Sequence, residues 1–183
     1  MIVLMAGLPG TGKTTLARAL AHRTTGALLS KDEIRAALFA PAGSTQNDIE
    51  YSVKQDDFVM EVMLDAARYL LQRTPARKIF LDGRPFSRRY QIDRVLESAR
   101  ELAQPWTIIE CSCSDESARR RLDLEPDGSH PAHNRTFALY LEVKARFEPI
   151  THPKLGISTD QPLEQCIEQA LAAIMRGERL VSD

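Results

Sequence analysis

Short apolar runs alternate with stretches whose apolar residues recur every three or four positions, from one end of the chain to the other. Ile2–Ala6 is unbroken apolar sequence, which reads as a strand buried on both faces. Lys13–Arg23 follows as a helix carrying Leu16, Ala19 and Leu20 on one side. Ala27–Leu29 is a short second strand and Lys31–Leu38 a helix; Pro41–Asn47 reads as a loop. A long helix over about 49–71 puts Val59, Val62, Met63, Ala66 and Leu70 on one stripe. Ile79–Leu81 is a third strand, and the helix Arg88–Leu102 presents Ile92, Val95, Leu96 and Ala99. Trp106–Cys111 is a fourth strand. The next helix, Asp115–Leu124, has Ser114 as its N-cap. Residues 125–135 hold prolines, a glycine and histidines and read as a loop. A helix at Phe137–Phe147, a short strand at Leu155–Ser158 and a helix aligning Leu163, Ile167, Ala170, Leu171 and Ile174 complete the chain. Strands alternating with helices in this way predict an α/β fold around a mainly parallel sheet.

Composition narrows the picture. With 183 residues, 43% of them hydrophobic, the chain can bury a core without metal or disulfide staples, as one domain spanning 1–183. A formal net charge of -1 argues against long-range capture of DNA or RNA, although a short oligonucleotide end held by a few arginines stays open. The three cysteines, Cys111, Cys113 and Cys166, form no disulfide framework, and Cys111-Ser112-Cys113 lacks zinc-site spacing, so buried structural thiols are expected. Neither a signal peptide nor a membrane span is expected, and the sequence reads as cytoplasmic.

The sharpest local signal is Gly7-Leu8-Pro9-Gly10-Thr11-Gly12-Lys13-Thr14, with Thr15 after it, which fits the phosphate-loop pattern G-x-x-x-x-G-K-[ST] in full. A chance match in a chain of this length has a probability on the order of one in a hundred, and a strand directly before it and a helix directly after lower that further. Glycines let backbone amides turn toward phosphates, and the helix N-terminus adds its positive dipole end. Lys13 is expected to bridge the β- and γ-phosphates of ATP, and the Thr14 hydroxyl to hold Mg²⁺. A plain glycine-rich turn would explain neither Lys13 nor Thr14. GTPases usually carry an N/T-K-x-D segment that this sequence lacks, which favours a small kinase.

A kinase needs an acceptor side. Ser30-Lys31-Asp32-Glu33-Ile34-Arg35 follows the second strand, and strand C-termini open onto the ligand crevice of such sheets. Asp32 is the candidate general base for an attacking hydroxyl, and Arg35, on the same helix face, a candidate to orient the acceptor. A capping box explains Ser30 and Glu33 equally well but is indifferent to Asp32 and Arg35. Asp82, closing the third strand, is either a carboxylate supporting Mg²⁺ or an ordinary turn aspartate. Arg84, Arg88 and Arg89 either reach the acceptor pocket or form a solvated helix start. The run Arg119-Arg120-Arg121 ends a helix. One helix cannot aim three consecutive residues at one point, so Arg120 and Arg121 are the candidates to close over ATP, with Arg135 across the following loop. Pairing with the helix C-terminus is the alternative. His130 and His133 read as solvated loop residues.

Taken together, Gly7–Thr15, Ser30-x-Asp32-x-x-Arg35, Leu81-Asp82-Gly83 and the arginine-bearing loop resemble the P-loop kinase group containing polynucleotide 5′-hydroxyl kinases, zeta toxins and chloramphenicol phosphotransferase. The resemblance implies a P-loop NTPase fold, a three-layer α/β/α sandwich whose five-stranded parallel sheet has the order 2-3-1-4-5, with a helical lid around 119–135. It also implies that the aspartate matching Asp32 is the general base and that the arginine matching Arg35 contacts substrate phosphate. The lid departs from the group's Arg-Leu-x-x-Arg pattern, since Glu125 stands at the second arginine position, and Arg135 is the candidate substitute. The expected activity is transfer of the γ-phosphate of Mg-ATP to a hydroxyl of a small molecule, with a nucleic-acid 5′ end the less favoured acceptor. An ATP-binding regulator or toxin-like protein is the reading from a different class.

Overall fold

The computed structural model describes residues 1–39, 52–75, 77–124 and 136–179. Its elements in chain order are β1 (Ile2–Ala6), α1 (Lys13–Arg23), β2 (Ala27–Ser30), α2 (Lys31–Phe39), α3 (Val53–Arg73), β3 (Ile79–Asp82), α4 (Arg89–Glu101), β4 (Trp106–Ser112), α5 (Asp115–Asp123), α6 (Phe137–Ala145), β5 (Leu155–Ser158) and α7 (Leu163–Arg179). The five strands form one sheet in the order β2-β3-β1-β4-β5, every neighbouring pair parallel. This is the P-loop NTPase α/β architecture expected from the motifs. The expected loop at Pro41–Asn47, the first residues of the long helix, and residues 125–135 with His130, His133 and Arg135 lie outside the described residues.

The period-two geometry of a strand explains why β1 is apolar throughout. Ile2, Leu4 and Ala6 face one layer, where they pack with Met63, Leu64 and Ala67 of α3 and Ile92, Val95 and Ala99 of α4. Val3 and Met5 face the other layer and meet Leu16 and Leu20 of α1 and Ile167, Ala170 and Ile174 of α7. A smaller cluster of Ala118, Leu122 and Tyr140 joins α5 to α6 and carries Leu8 of the glycine-rich loop on its edge.

Two stripes differ from the sequence reading. In α3 the buried face is Val59, Met60, Met63, Leu64, Ala67 and Leu71, while Val62, Ala66 and Leu70 flank it. In α7 Leu163 is exposed, and Cys166 takes its place in the core. Both helices carry apolar stripes wider than the seam they bury, so the register within the stripe is set by what packs on either side. The cap expected at Ser114 forms, its Oγ accepting from the Ser117 amide at 3.2 Å, and Thr136 Oγ1, not singled out from the sequence, caps α6 by accepting from the Leu139 amide at 3.1 Å. No described helix is long and apolar enough to cross a membrane.

Candidate active site

β1 ends at Ala6, and the chain turns through residues 7–12 into α1. Gly7 has φ 132°, and a Cβ there would stand 2.2 Å from the Cys111 carbonyl oxygen of β4, so only glycine fits against that strand. Lys13 is buried, and its Nζ donates to the Leu8 carbonyl at 2.7 Å, as does Thr11 Oγ1 at 2.7 Å. The ammonium therefore lies inside the curve of the loop. Leu8 and Thr14 are half-buried, and Thr15 is exposed on α1.

The Thr14 hydroxyl donates to Asp82 Oδ2 at 2.7 Å, joining α1 to the end of β3. Asp82 is 1% exposed, and its other oxygen, Oδ1, has no hydrogen-bond partner among the described residues. A buried carboxylate oxygen left unpaired beside a hydroxyl is costly unless a cation or its water completes it. Hard oxygen donors of this kind suit Mg²⁺, so the residues fit the metal that the motif implies.

β2 lies beside β3 with Ser30 opposite Asp82, which brings the start of α2 to the same end of the sheet. The Ser30 hydroxyl accepts from the Glu33 amide at 3.4 Å, so half of the capping box forms. Glu33 itself pairs with Arg18 at 3.0 Å instead of reaching back. That cap aims Asp32 elsewhere: with Lys13, Thr14 and Arg35 it lines a crevice of about 730 Å³ that opens over the phosphate loop. Asp82 stands at the base of this wall through Thr14. The opposite walls come from Arg84, Ser87 and Arg88 after β3, and from Glu142 of α6 and Arg146 just after it.

Among the charged groups that line the crevice, Lys31 and Asp56 were not singled out from the sequence. Lys31 and Arg35 both turn to Asp56 of α3, with Lys31 Nζ 3.0 Å from Asp56 Oδ1 and 3.6 Å from Asp32 Oδ1. Burial pushes the Lys31 ammonium down to about 8, against the opposing pull of Asp32. Arg84, 4% exposed, donates to Asp57 Oδ1 at 2.8 Å. Arg88 pairs with Glu148 at 3.0 Å, and Arg89 contributes its backbone amide to the same carboxylate. Of the three arginines left open by the sequence, Arg84 and Arg88 thus line the crevice; Arg89 opens α4.

The three arginines of the α5 run have different surroundings. Arg119 lies over the Phe137 ring, 4.0 Å from its centroid. Arg120 is exposed. Arg121 donates from Nη1 to Thr159 Oγ1 at 2.9 Å and the Gly10 carbonyl at 3.4 Å, and from Nη2 to the Thr159 carbonyl at 2.7 Å. The structure therefore places Arg121 behind the phosphate loop, and neither Arg120 nor Arg121 lines the crevice. Arg135 lies outside the described residues. Cys111 and Cys166 are buried free thiols and Cys113 is half-buried; burial pushes Cys111 up to about 12, which keeps it a thiol at neutral pH.

A family model described as an AAA domain, AAA_33, matches residues 2–150, well over half of the chain. The chain belongs to the AAA_33 family. No curated protein matches it. Among solved structures, a candidate kinase from Chloroflexus aurantiacus superposes with a TM-score of 0.71 at 22% identity, covering 93% of this chain and 96% of that one. A gluconokinase from Sinorhizobium meliloti gives 0.69 at 16%, covering 98% and 94%. The Mycobacterium tuberculosis APS kinase CysC, solved in complex with AMPPNP and APS, gives 0.65 at 14%, covering 95% and 96%. At these identities the similarity establishes the fold alone, and it does not single out the polynucleotide 5′-hydroxyl kinase group that the motifs resemble.

For this AAA_33 chain the phosphate loop was legible in advance because its pattern is local. Lys31, Asp56 and Asp57 were not. Asp56 sits in the first turn of α3, where an acid is ordinary helix chemistry, and only the approach of α2 makes it a partner for two buried cations.

Proposed function

We propose that this protein is an ATP-dependent phosphotransferase that moves the γ-phosphate of Mg-ATP to a hydroxyl of a small molecule. The observation that supports it most is one crevice of about 730 Å³ whose wall carries Lys13 and Thr14 of the phosphate loop together with Asp32. In this reading the loop amides and Lys13 hold the β- and γ-phosphates, and Thr14 and Asp82 hold Mg²⁺, which supplies positive charge to the phosphate oxygens when bound. Asp32 accepts the proton of the acceptor hydroxyl. The acceptor oxygen forms its bond to phosphorus, the bond from the γ-phosphorus to the bridging oxygen breaks, and ADP carries away that electron pair. Arg35 and Lys31 orient the acceptor beside Asp32. Arg120 and Arg135 are retained as the arginines that screen charge on the phosphates from the segment around 119–135.

A crevice of this volume falls in the range of small-molecule sites, and the net charge of -1 favours a small acceptor over a polynucleotide. Hydroxyl compounds and 5′-hydroxyl oligonucleotides should be screened together for stimulated ADP release, and the best acceptor then used with Asp32→Asn. We expect Mg-ATP affinity within about twofold of wild type and transfer slower by about 10²–10⁴-fold. Unchanged transfer would remove Asp32 from the mechanism. If no acceptor stimulates ADP release although Mg-ATP binds, the protein is an ATP-binding regulator instead. An oligonucleotide as the best acceptor would shift the assignment to a 5′-end kinase.

A further inference from the structure

The phosphate loop is held from behind by two side chains that the proposed reaction does not use. Thr159 follows β5 by one residue, and its Oγ1 donates to the Thr11 carbonyl at 3.0 Å. The Ser112 carbonyl is also within reach at 3.1 Å, but it already accepts from the Thr159 amide at 2.8 Å. Arg121 Nη1 donates to Thr159 Oγ1 at 2.9 Å, which occupies a lone pair of the hydroxyl and leaves its hydrogen for the carbonyls. The same Nη1 stands 3.4 Å from the Gly10 carbonyl, and Nη2 donates to the Thr159 carbonyl at 2.7 Å, so the guanidinium is fixed at both ends.

In a planar trans peptide the carbonyl and the amide that follows point in opposite directions. The Gly10 oxygen shares its plane with the Thr11 amide, and the Thr11 oxygen shares its plane with the Gly12 amide. Pinning both oxygens on the outer side aims both amides inward. The Thr11 amide indeed points across the loop at the Leu8 carbonyl, 3.4 Å away, where Lys13 Nζ also converges. Gly10 and Gly12, with φ 74° and 76°, have no Cβ to stiffen these planes, so their direction has to be imposed from outside.

We infer that Thr159 and Arg121 are positioning residues for the phosphate loop, which set the direction of the Thr11 and Gly12 amides by anchoring the carbonyls of Gly10 and Thr11. Arg121 acts through the loop backbone and does not touch phosphate. The inference rests on the ATP-binding half of the proposed function and is indifferent to the acceptor.

The test is calorimetric titration of Mg-ATP into wild type, Thr159→Val, Thr159→Ser, Arg121→Gln and the Thr159→Val/Arg121→Gln double variant. Valine keeps the shape and removes the hydroxyl, so it should weaken Mg-ATP binding by about tenfold, while serine should restore it to within about twofold. Arg121→Gln should weaken it comparably, and the double variant should be no worse than the weaker single variant within about threefold, since both act on the same two planes. Thr159→Val binding Mg-ATP like wild type, serine failing to rescue, or losses that multiply in the double variant would each overturn the assignment. Amide resonances of Thr11 and Gly12 in the nucleotide-free protein give a second reading. They should shift in Thr159→Val and not in Thr159→Ser; no shift in the valine variant also sinks the idea. Wild type that takes up no Mg-ATP would refute the ATP-binding reading, and the resonances would still decide on the anchor. If the valine variant does not fold, Arg121→Gln is judged by the same two measurements.

Discussion

Lys31 keeps its ammonium almost out of water, its side chain 6% exposed, with Asp32 and Asp56 facing it and the guanidinium groups of Arg35 and Arg84 nearby. Burial is the largest influence and lowers its proton affinity from 10.5 to about 8. The sign follows from linkage. Between about 8 and 10.5 the unfolded chain holds a proton that the folded chain has released, so this group makes stability rise with pH across that window. Below it the folded protein carries the full cost of the buried charge, about 3 kcal/mol from the size of the shift. Cys111 opposes the trend: its thiol is pushed up to about 12 by burial, so above pH 9 the unfolded chain gains by ionising and stability falls. Comparing wild type with Lys31→Met separates the two. In urea unfolding, the methionine variant should gain on wild type at pH 7, and the gain should shrink by about 3 kcal/mol as pH rises toward 10.5. A gain that does not depend on pH would mean that Lys31 is paired well enough to hold its charge at no cost. Removing the carboxylate instead should hurt. Asp56→Asn removes the anion that Lys31 and Arg35 share; with Asp56 28% exposed and Asp32 still 3.6 Å from Lys31, the loss in urea unfolding should be about 1–3 kcal/mol.

Helix α3 shows where a pattern on paper and a packed face part company. Its apolar residues cover more of the circumference than the sheet needs, and the spacing alone pointed at Val59, Val62, Met63, Ala66 and Leu70. Packing against β1 and α4 turned the helix so that Met60, Leu64, Ala67 and Leu71 went under and Val62 and Leu70 were left at the edge. Leu64→Ala should therefore cost about 3 kcal/mol in urea unfolding and Val62→Ala no more than about 1, the reverse of what the sequence stripe implies. Equal losses would mean that the edge packs as tightly as the seam. Elements with a signal confined to a few neighbouring residues were legible at once: β1 from its unbroken apolar run, α5 from Ser114, the phosphate loop from its glycines, Lys13 and Thr14. What stayed hidden depended on approach through space. A run of three arginines does not say that Arg121 will face Thr159, and Asp56 and Asp57 acquire meaning only when α3 meets Lys31 and Arg84.

The groups expected to hold nucleotide and metal come from the loop after β1, from α1 and from the end of β3; β1 and β3 are neighbours inside the sheet, and α1 packs on it in one of the two core layers. A ligand gripped there joins segments that unfold together, so its binding energy should appear in the stability of the cooperative unit rather than in one local flap. At a hundred times its dissociation constant a ligand adds about 2.7 kcal/mol, which for a chain of this size raises the melting temperature by about 5–10 °C. Mg-ATP should produce that rise in wild type. Lys13→Ala should abolish most of it, because in the proposed function the buried ammonium is the charge that meets the phosphates. Asp82→Asn separates the metal from the nucleotide: it should erase the difference between ATP with and without magnesium while keeping the smaller rise due to ATP alone. The unpaired Oδ1 of Asp82 carries that expectation, since an amide in its place is a poor ligand for a hard cation. Melting curves in which magnesium adds nothing to wild type would refute the assignment of Thr14 and Asp82 as its holders. A wild type indifferent to ATP in any form would leave Lys13 and the glycine-rich loop without the ligand that explains them.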